Sequence, residues 1–313
     1  MAVIVPTPPD LTDILLMADW LELVALVADD HNSGTGDLSA IVRRAGTFEG
    51  KSPTADEAID AFCLSVTAVI ENRATVLGKY YPFSINGGVI RYGAKLEDAL
   101  VPYVFCLCLA YLGEKYSTKT LKPRLMFEEL AAFAAAQYVG GKHFIFGTSR
   151  SRDGGQTKRF TDAVTALCKF IGEGKAFRQQ PGLNKKDDHV DVVVVKHFSD
   201  RATSKLVLFG QCASGVGWRS KTSELQPKTF WDQWIELSRV SDVLRSFFIP
   251  FPIDPKEWDY QARRAGLLFD RVRIAYWAAQ SADFAGDISR FSTWINGCLT
   301  RLAKPKSKFV LAT

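Results

Sequence analysis

What the chain lacks narrows it first. It has six cysteines and four histidines in 313 residues, with no CxxC pair and no His at zinc-ligand spacing from a Cys, so neither a zinc module nor a disulfide framework organises it. Cys63, Cys106, Cys108, Cys168, Cys212 and Cys298 lie in apolar stretches, the setting of reduced core thiols in a cytoplasmic protein. No apolar run reaches the ~20 residues that a bilayer demands; the longest, residues 99–112, contains Pro102 and reads as a buried helix. Residues 1–9 have no basic n-region and too short an apolar run for a signal peptide. Neither sign of charge dominates, because 39 Lys+Arg against 34 Asp+Glu leave +5, a balance that permits contact with nucleic acid but not the coating of it. Repeats and disordered composition are also missing.

What is present suits one large or two medium domains of α/β class. Residues 1–118 are expected to form a mainly helical domain, from helical periodicity at 11–27, 55–73 and 97–113 with loops at 32–36 and Gly87-Gly88. The polar stretch 113–123 divides it from a second domain, 119–313. Here the pattern predicts a helix at 124–139, a strand at 143–147, a helix at 159–172 and strands at 191–196 and 205–213. A packing helix at 230–240, a strand at 245–251, a strand or strand-to-helix passage at 267–276 and a terminal helix at 283–302 follow.

The most informative stretch is 188–213. Two β-branched and apolar runs flank the polar break 199–204 and read as a hairpin, with Asp191 opening the first strand and Gln211 near the end of the second. Alternation puts Asp191, Val193, Val195 and His197 on one face of the first strand, and Lys205, Val207, Phe209, Gln211 and Ala213 on one face of the second. Gln211 and residue 213 are thereby expected to point with Asp191 toward one cleft. Upstream, Phe127, Leu130, Ala131, Ala134 and Tyr138 share a helical stripe, with Glu128 at its border and Glu129 turned away.

In these residues the chain resembles the PD-(D/E)XK nuclease superfamily, in particular the branch near type IV restriction endonucleases. Asp191 matches the family's Asp, Gln211 the Gln of its Gln-x-Lys, and Phe127-Glu128 the Phe-Glu pair of its first core helix; Ala213 stands where the family has its lysine. The resemblance covers roughly residues 120–280. It implies a restriction-endonuclease-like mixed-sheet domain that hydrolyses DNA with Mg²⁺, or Mn²⁺ in its place, in a bacterial antiviral defence setting beside an ATP-driven helicase or ATPase partner, with a homo-oligomer as an option. Asp191 would be the central metal ligand, Glu128 a second, Gln211 a polar ligand or water-orienting group, and Asp188 an outer-shell group.

Ala213 is the departure. A replacement that inactivates the chain, natural degeneracy, and a lysine arriving from elsewhere compete to explain it; Lys221 is the candidate migrant, since Lys196 has the wrong parity. Arg150, Arg152, Lys158, Arg219 and Lys221 are the candidate nucleic-acid contacts. The loop 148–158 lacks the Gly-Lys-Ser/Thr ending of a P-loop. Lys304, Lys306 and Lys308 read as a solvated tail, and Trp218, Trp231 and Trp234 as packing groups. The alternative to a nuclease is a non-catalytic DNA- or protein-binding subunit on a degenerate nuclease fold, or else an RNA or tRNA nuclease.

Overall fold

A computed structural model describes residues 10–48, 54–93, 95–146, 160–179 and 188–303. The chain is a mixed α/β protein of two compact units, residues 1–116 with 288–313, and residues 117–287. The division near residue 117 falls two residues from the expected boundary, but the last helix groups with the first unit, so the second ends at Asp287 rather than at 313.

The first unit comprises α1 (Ile14–Val27), β1 (Asn32–Gly34), α2 (Thr35–Arg44), α3 (Ala55–Leu77), β2 (Phe83–Asn86), β3 (Val89–Tyr92) and α4 (Val101–Leu112). Asp13 caps α1, accepting from the Leu15 and Leu16 amides. From Met17 to Val27 this helix is buried all round, which the one-sided pattern of a surface helix does not anticipate. The burial takes Asp19 and Glu22 with it. Arg73 of α3 answers both, at 2.8 Å each, and the Tyr81 and Tyr103 hydroxyls donate to Glu22 at 2.6 and 2.8 Å. Expected to be mainly helical, this part also holds a three-stranded antiparallel sheet, ordered β1-β3-β2. Gly87 and Gly88, read from the sequence as a loop, are the turn of the β2–β3 hairpin, both with positive φ.

The second unit runs α5 (Pro123–Val139), β4 (Lys142–Ile145), α6 (Phe160–Ile171), β5 (Lys175–Phe177), β6 (Val192–Lys196), β7 (Leu206–Cys212), α7 (Pro227–Trp234), β8 (Ile235–Glu236), β9 (Val243–Phe248), α8 (Pro255–Ala265), β10 (Leu267–Phe269), α9 (Arg271–Ala278) and α10 (Ala282–Ala285). Five strands form one sheet, ordered β10-β9-β7-β6-β4; β6 runs antiparallel to both of its neighbours, β4 and β7, while β9 lies parallel to β7 and β10 parallel to β9. The expected order helix, strand, strand, strand, helix, strand is present as α5, β4, β6, β7, α7 and β9. Val193, Val195, Val207 and Phe209 turn one face of this sheet to Phe160 and Leu167 of α6 and to Phe230 and Trp231 of α7. That cluster contains no residue of α5, which covers the other face.

Three expectations change, at α7, Tyr138 and the terminal helix, and the alternative left open at 267–276 is decided. α7 stops at Trp234 rather than near 240, because Ile235 turns extended and pairs with β5. The 267–276 passage is a strand and then a helix, switched by Asp270, whose side chain accepts from the Arg273 amide and caps α9. Tyr138, expected in the buried stripe of α5, is exposed and sets its ring edge-on to Phe269 and Trp277. The terminal helix divides into α10 and α11 (Ile288–Ala303); α11 belongs to the first unit through Phe291 and Trp294, which pack on Phe105, and through a bond from the Trp294 indole to the Tyr116 carbonyl.

Because Arg73 is ion-paired with two buried carboxylates, Asp19 and Glu22, Arg73→Ala takes a compensating cation out of the core of the first unit. A loss of about 3–5 kcal/mol is expected, read as a lowered urea midpoint by circular dichroism.

Candidate functional site

The β6–β7 pair positions the candidate residues. Val192 is the register partner of Gly210, and the Asp191 amide also donates to the Gly210 carbonyl, at 2.8 Å. Two consecutive residues therefore oppose one, the arrangement of a β-bulge, which re-aims a side chain at a strand end. Asp191 is 6% exposed. Its Oδ2 accepts from the backbone amide of Cys212 at 2.8 Å, so the carboxylate is fixed to the middle of the Gln211-Cys212-Ala213 segment.

Gly210 makes room for this. A side-chain carbon there would overlap the Phe248 ring and come 2.8 Å from Ser246 Oγ, so the parallel strand β9 could not lie as close.

Gln211, 5% exposed, follows the alternation of Val207 and Phe209 and so faces the α7 side of the sheet. Its Nε2 donates to Glu224 Oε2 at 2.7 Å, and the same oxygen lies 3.4 Å from His189 Nδ1. Gln211 Oε1 is buried with no hydrogen-bond partner. Glu224 and His189 are thus the residues that the sequence reading missed. Glu224 lies in a loop with no periodicity to mark it, and the φ of +68° at His189 takes that residue out of the strand, so alternation from Asp191 does not reach it.

The other expected residues are placed as follows. Glu128 is 1% exposed on α5, where Arg124 Nε approaches its Oε1 at 3.5 Å. It therefore belongs to the layer opposite the one Gln211 faces: helix phase correctly turned it inward, but phase does not say which face of a sheet a helix covers. Asp188 accepts from the Trp234 indole, an anchor for the end of α7. Ala213 is buried, its amide bonded to the Phe248 carbonyl at 2.9 Å. Lys221 ends a short 3₁₀ turn, Trp218–Lys221, and is exposed. Arg219 pairs with Glu257 at 2.9 Å and lies over the buried Trp218 ring; an ion pair so exposed holds it by no more than about 1 kcal/mol. Trp231 and Trp234 are buried, as their packing role requires. Five of the cysteines are buried; Cys212, expected in the core, is half-buried. Arg150, Arg152, Lys158 and the tail lysines 304, 306 and 308 lie outside the described residues.

Among the described residues no group of three or more His, Cys, Asp or Glu has metal-binding geometry, and no helix is long and apolar enough to cross a membrane. No family model, no curated protein and no solved structure matches the chain.

The Asp191 clasp has a direct test in stability. Asp191→Ala strips the Cys212 amide of its acceptor inside the fold and is expected to cost about 1–3 kcal/mol. Asp191→Asn keeps an acceptor oxygen and recovers part of the loss. Urea unfolding of the two variants beside the parent makes the comparison; equal losses would remove the hydrogen bond as the cause.

Proposed function

We propose that this chain belongs functionally with the metal-dependent DNA endonucleases and that its chemical end is the junction of Asp191 with the Gln211–Ala213 segment. The observation that carries the reading is the buried Asp191 carboxylate held at the head of β6 against the end of β7, within the order α5, β4, β6, β7, α7, β9. The donor chemistry fits a hard cation. Asp191 supplies a carboxylate, and the partnerless Oε1 of Gln211 supplies a neutral oxygen. In this reading Mg²⁺ would be held by Asp191 and Gln211, where it would polarise a scissile phosphate and activate water. Glu128 is a further donor only from the α5 side of the sheet.

The residues of the chain do the rest. Glu224 fixes the Gln211 amide, leaving Oε1 directed away from the bonded nitrogen. Asp188, engaged by Trp234, supports the entry to β6. Arg219 and Lys221, on the turn that follows β7, are placed to take phosphates of the bound strand.

Ala213 gives the second reading its observation. The side chain at the family's lysine position is a buried methyl group, so no cation from that position can orient water or stabilise developing charge. A chain that binds DNA or a partner protein without cutting is the form that follows, with defence and an ATP-driven partner as its proposed setting.

The catalytic reading requires that Ala213→Lys raise Mg²⁺-dependent cleavage by about 10²–10³, the usual worth of one charge-stabilising donor. Asp191→Asn on that background should abolish the gain. Duplex DNA, single-stranded DNA and RNA, each with Mg²⁺ and with Mn²⁺, are the substrates to assay. No gain on any of them would overturn the catalytic reading, and cleavage by the parent that disappears with Lys221→Ala would establish a migrated lysine.

Binding is expected to outlive chemistry, because many cations contribute to it. Affinity for labelled duplex should fall with rising salt along a straight log–log line, and replacing Arg219 and Lys221 together should flatten that line by up to about two phosphates' worth of slope. Fluorescence anisotropy at several salt concentrations measures it.

A further inference from the structure

The far end of the β6–β7 hairpin carries a cavity of about 560 Å³, roofed by the end of α6 and floored by the sheet edge at β4. It lies within the ~300–1,000 Å³ range of small-molecule sites. Five strand residues separate it from Asp191, a span of about 17 Å at the usual rise per residue.

Its lining is cationic. Lys142 of β4, Lys169 of α6, Arg201 of the hairpin turn and Lys205 at the foot of β7 all border it. Lys205 is fully buried and is partly answered there, donating to the Ile171 carbonyl at 3.0 Å and lying 3.7 Å from Glu173. Glu173 is in turn committed to Ser241, whose amide and hydroxyl both donate to it. Lys142, Lys169 and Arg201 are exposed, and none of them is ion-paired with a carboxylate among the described residues. Three converging cations without counter-charge repel one another, and an anion in the cavity would relieve that repulsion.

The same cavity has an apolar wall. Phe144 and Phe170 stack with ring centres 5.3 Å apart and planes inclined by 27°, and both line it. His197 borders it from the end of β6. Burial first, then the charges of Lys205, Arg201 and Lys142, lowers its pKa.

We propose that this cavity binds a nucleoside phosphate, its phosphate on Lys142, Lys169 and Arg201 and its base against the Phe144–Phe170 wall. The cations alone would take any small anion. The aromatic wall selects one that carries a ring. The site stands whether or not the Asp191 end cleaves nucleic acid.

Isothermal titration of the full chain with AMP, GMP, CMP and UMP, beside adenosine and inorganic phosphate, tests it. At least one mononucleotide should bind, more tightly than either adenosine or phosphate. Lys142→Gln together with Lys169→Gln, both at exposed positions, should weaken it about ten-fold or more, with the circular dichroism spectrum unchanged. Phe170→Leu should weaken the nucleotide and leave phosphate binding as it was. The proposal is overturned by no binding of any mononucleotide at millimolar concentration, by phosphate binding as tightly as the nucleotides, or by unchanged affinity in the double lysine variant.

Discussion

The second unit depends on how β7 is held between two neighbours of opposite direction. On one side β6 runs antiparallel to it, and on the other β9 runs parallel, and the two demands meet at Gly210. A larger residue there would push Phe248 away and open the β7–β9 pair. The same residue accepts from the Asp191 amide, so the bulge that turns Asp191 toward Cys212 exists only where β7 lies this close. A buried carboxylate is costly unless its hydrogen bonds are met, and here a backbone amide meets one of them. The position of the acidic group is therefore tied to main-chain geometry.

Much of this unit was legible in the sequence because strands advertise themselves. The valine run 192–195 and the apolar run 206–209 fixed both strands and their antiparallel pairing, and Pro123 and Gly140 bracket α5 closely enough to place its ends. The candidate site was only partly legible. Alternation along β7 gives Gln211 the face of Val207 and Phe209, but it could not foresee the bulge at Asp191, since an extra residue breaks the two-residue period on which the inference rests. Helix phase turned Glu128 inward without telling which side of the sheet α5 would occupy. Glu224 contacts Gln211 from a loop, where no period exists to read.

The first unit shows a different blind spot. Asp19 and Glu22 sit on a helix whose apolar residues surround them, and composition alone would expose those carboxylates on a solvent face. Arg73, 51 residues after Glu22, and the Tyr81 and Tyr103 hydroxyls make their burial tolerable. Long-range compensation of this kind leaves no local pattern. For the same reason the sheet of β1, β2 and β3 is not anticipated from the sequence, in which only 32–36 and Gly87-Gly88 read as loops: its strands have three or four residues each, too few to establish a two-residue period.

The hairpin of β6 and β7 acquires opposite chemical character at its two ends. Where β6 begins and β7 finishes, the side chains are acceptors: Asp191, Gln211 Oε1 and Glu224. Where β6 finishes and β7 begins, they are cations: Lys205, Arg201, and Lys142 across the edge. Between them the strands are valine, leucine and phenylalanine buried on both faces, a low-dielectric stretch in which neither end's charge is screened by mobile ions. Separation along a buried strand pair lets an acidic end, suited to a cation, and a basic end, suited to an anion, coexist in one unit without pairing with each other. Had the two sets met at one strand end they would have neutralised each other as ion pairs. The apolar middle keeps the two sets apart.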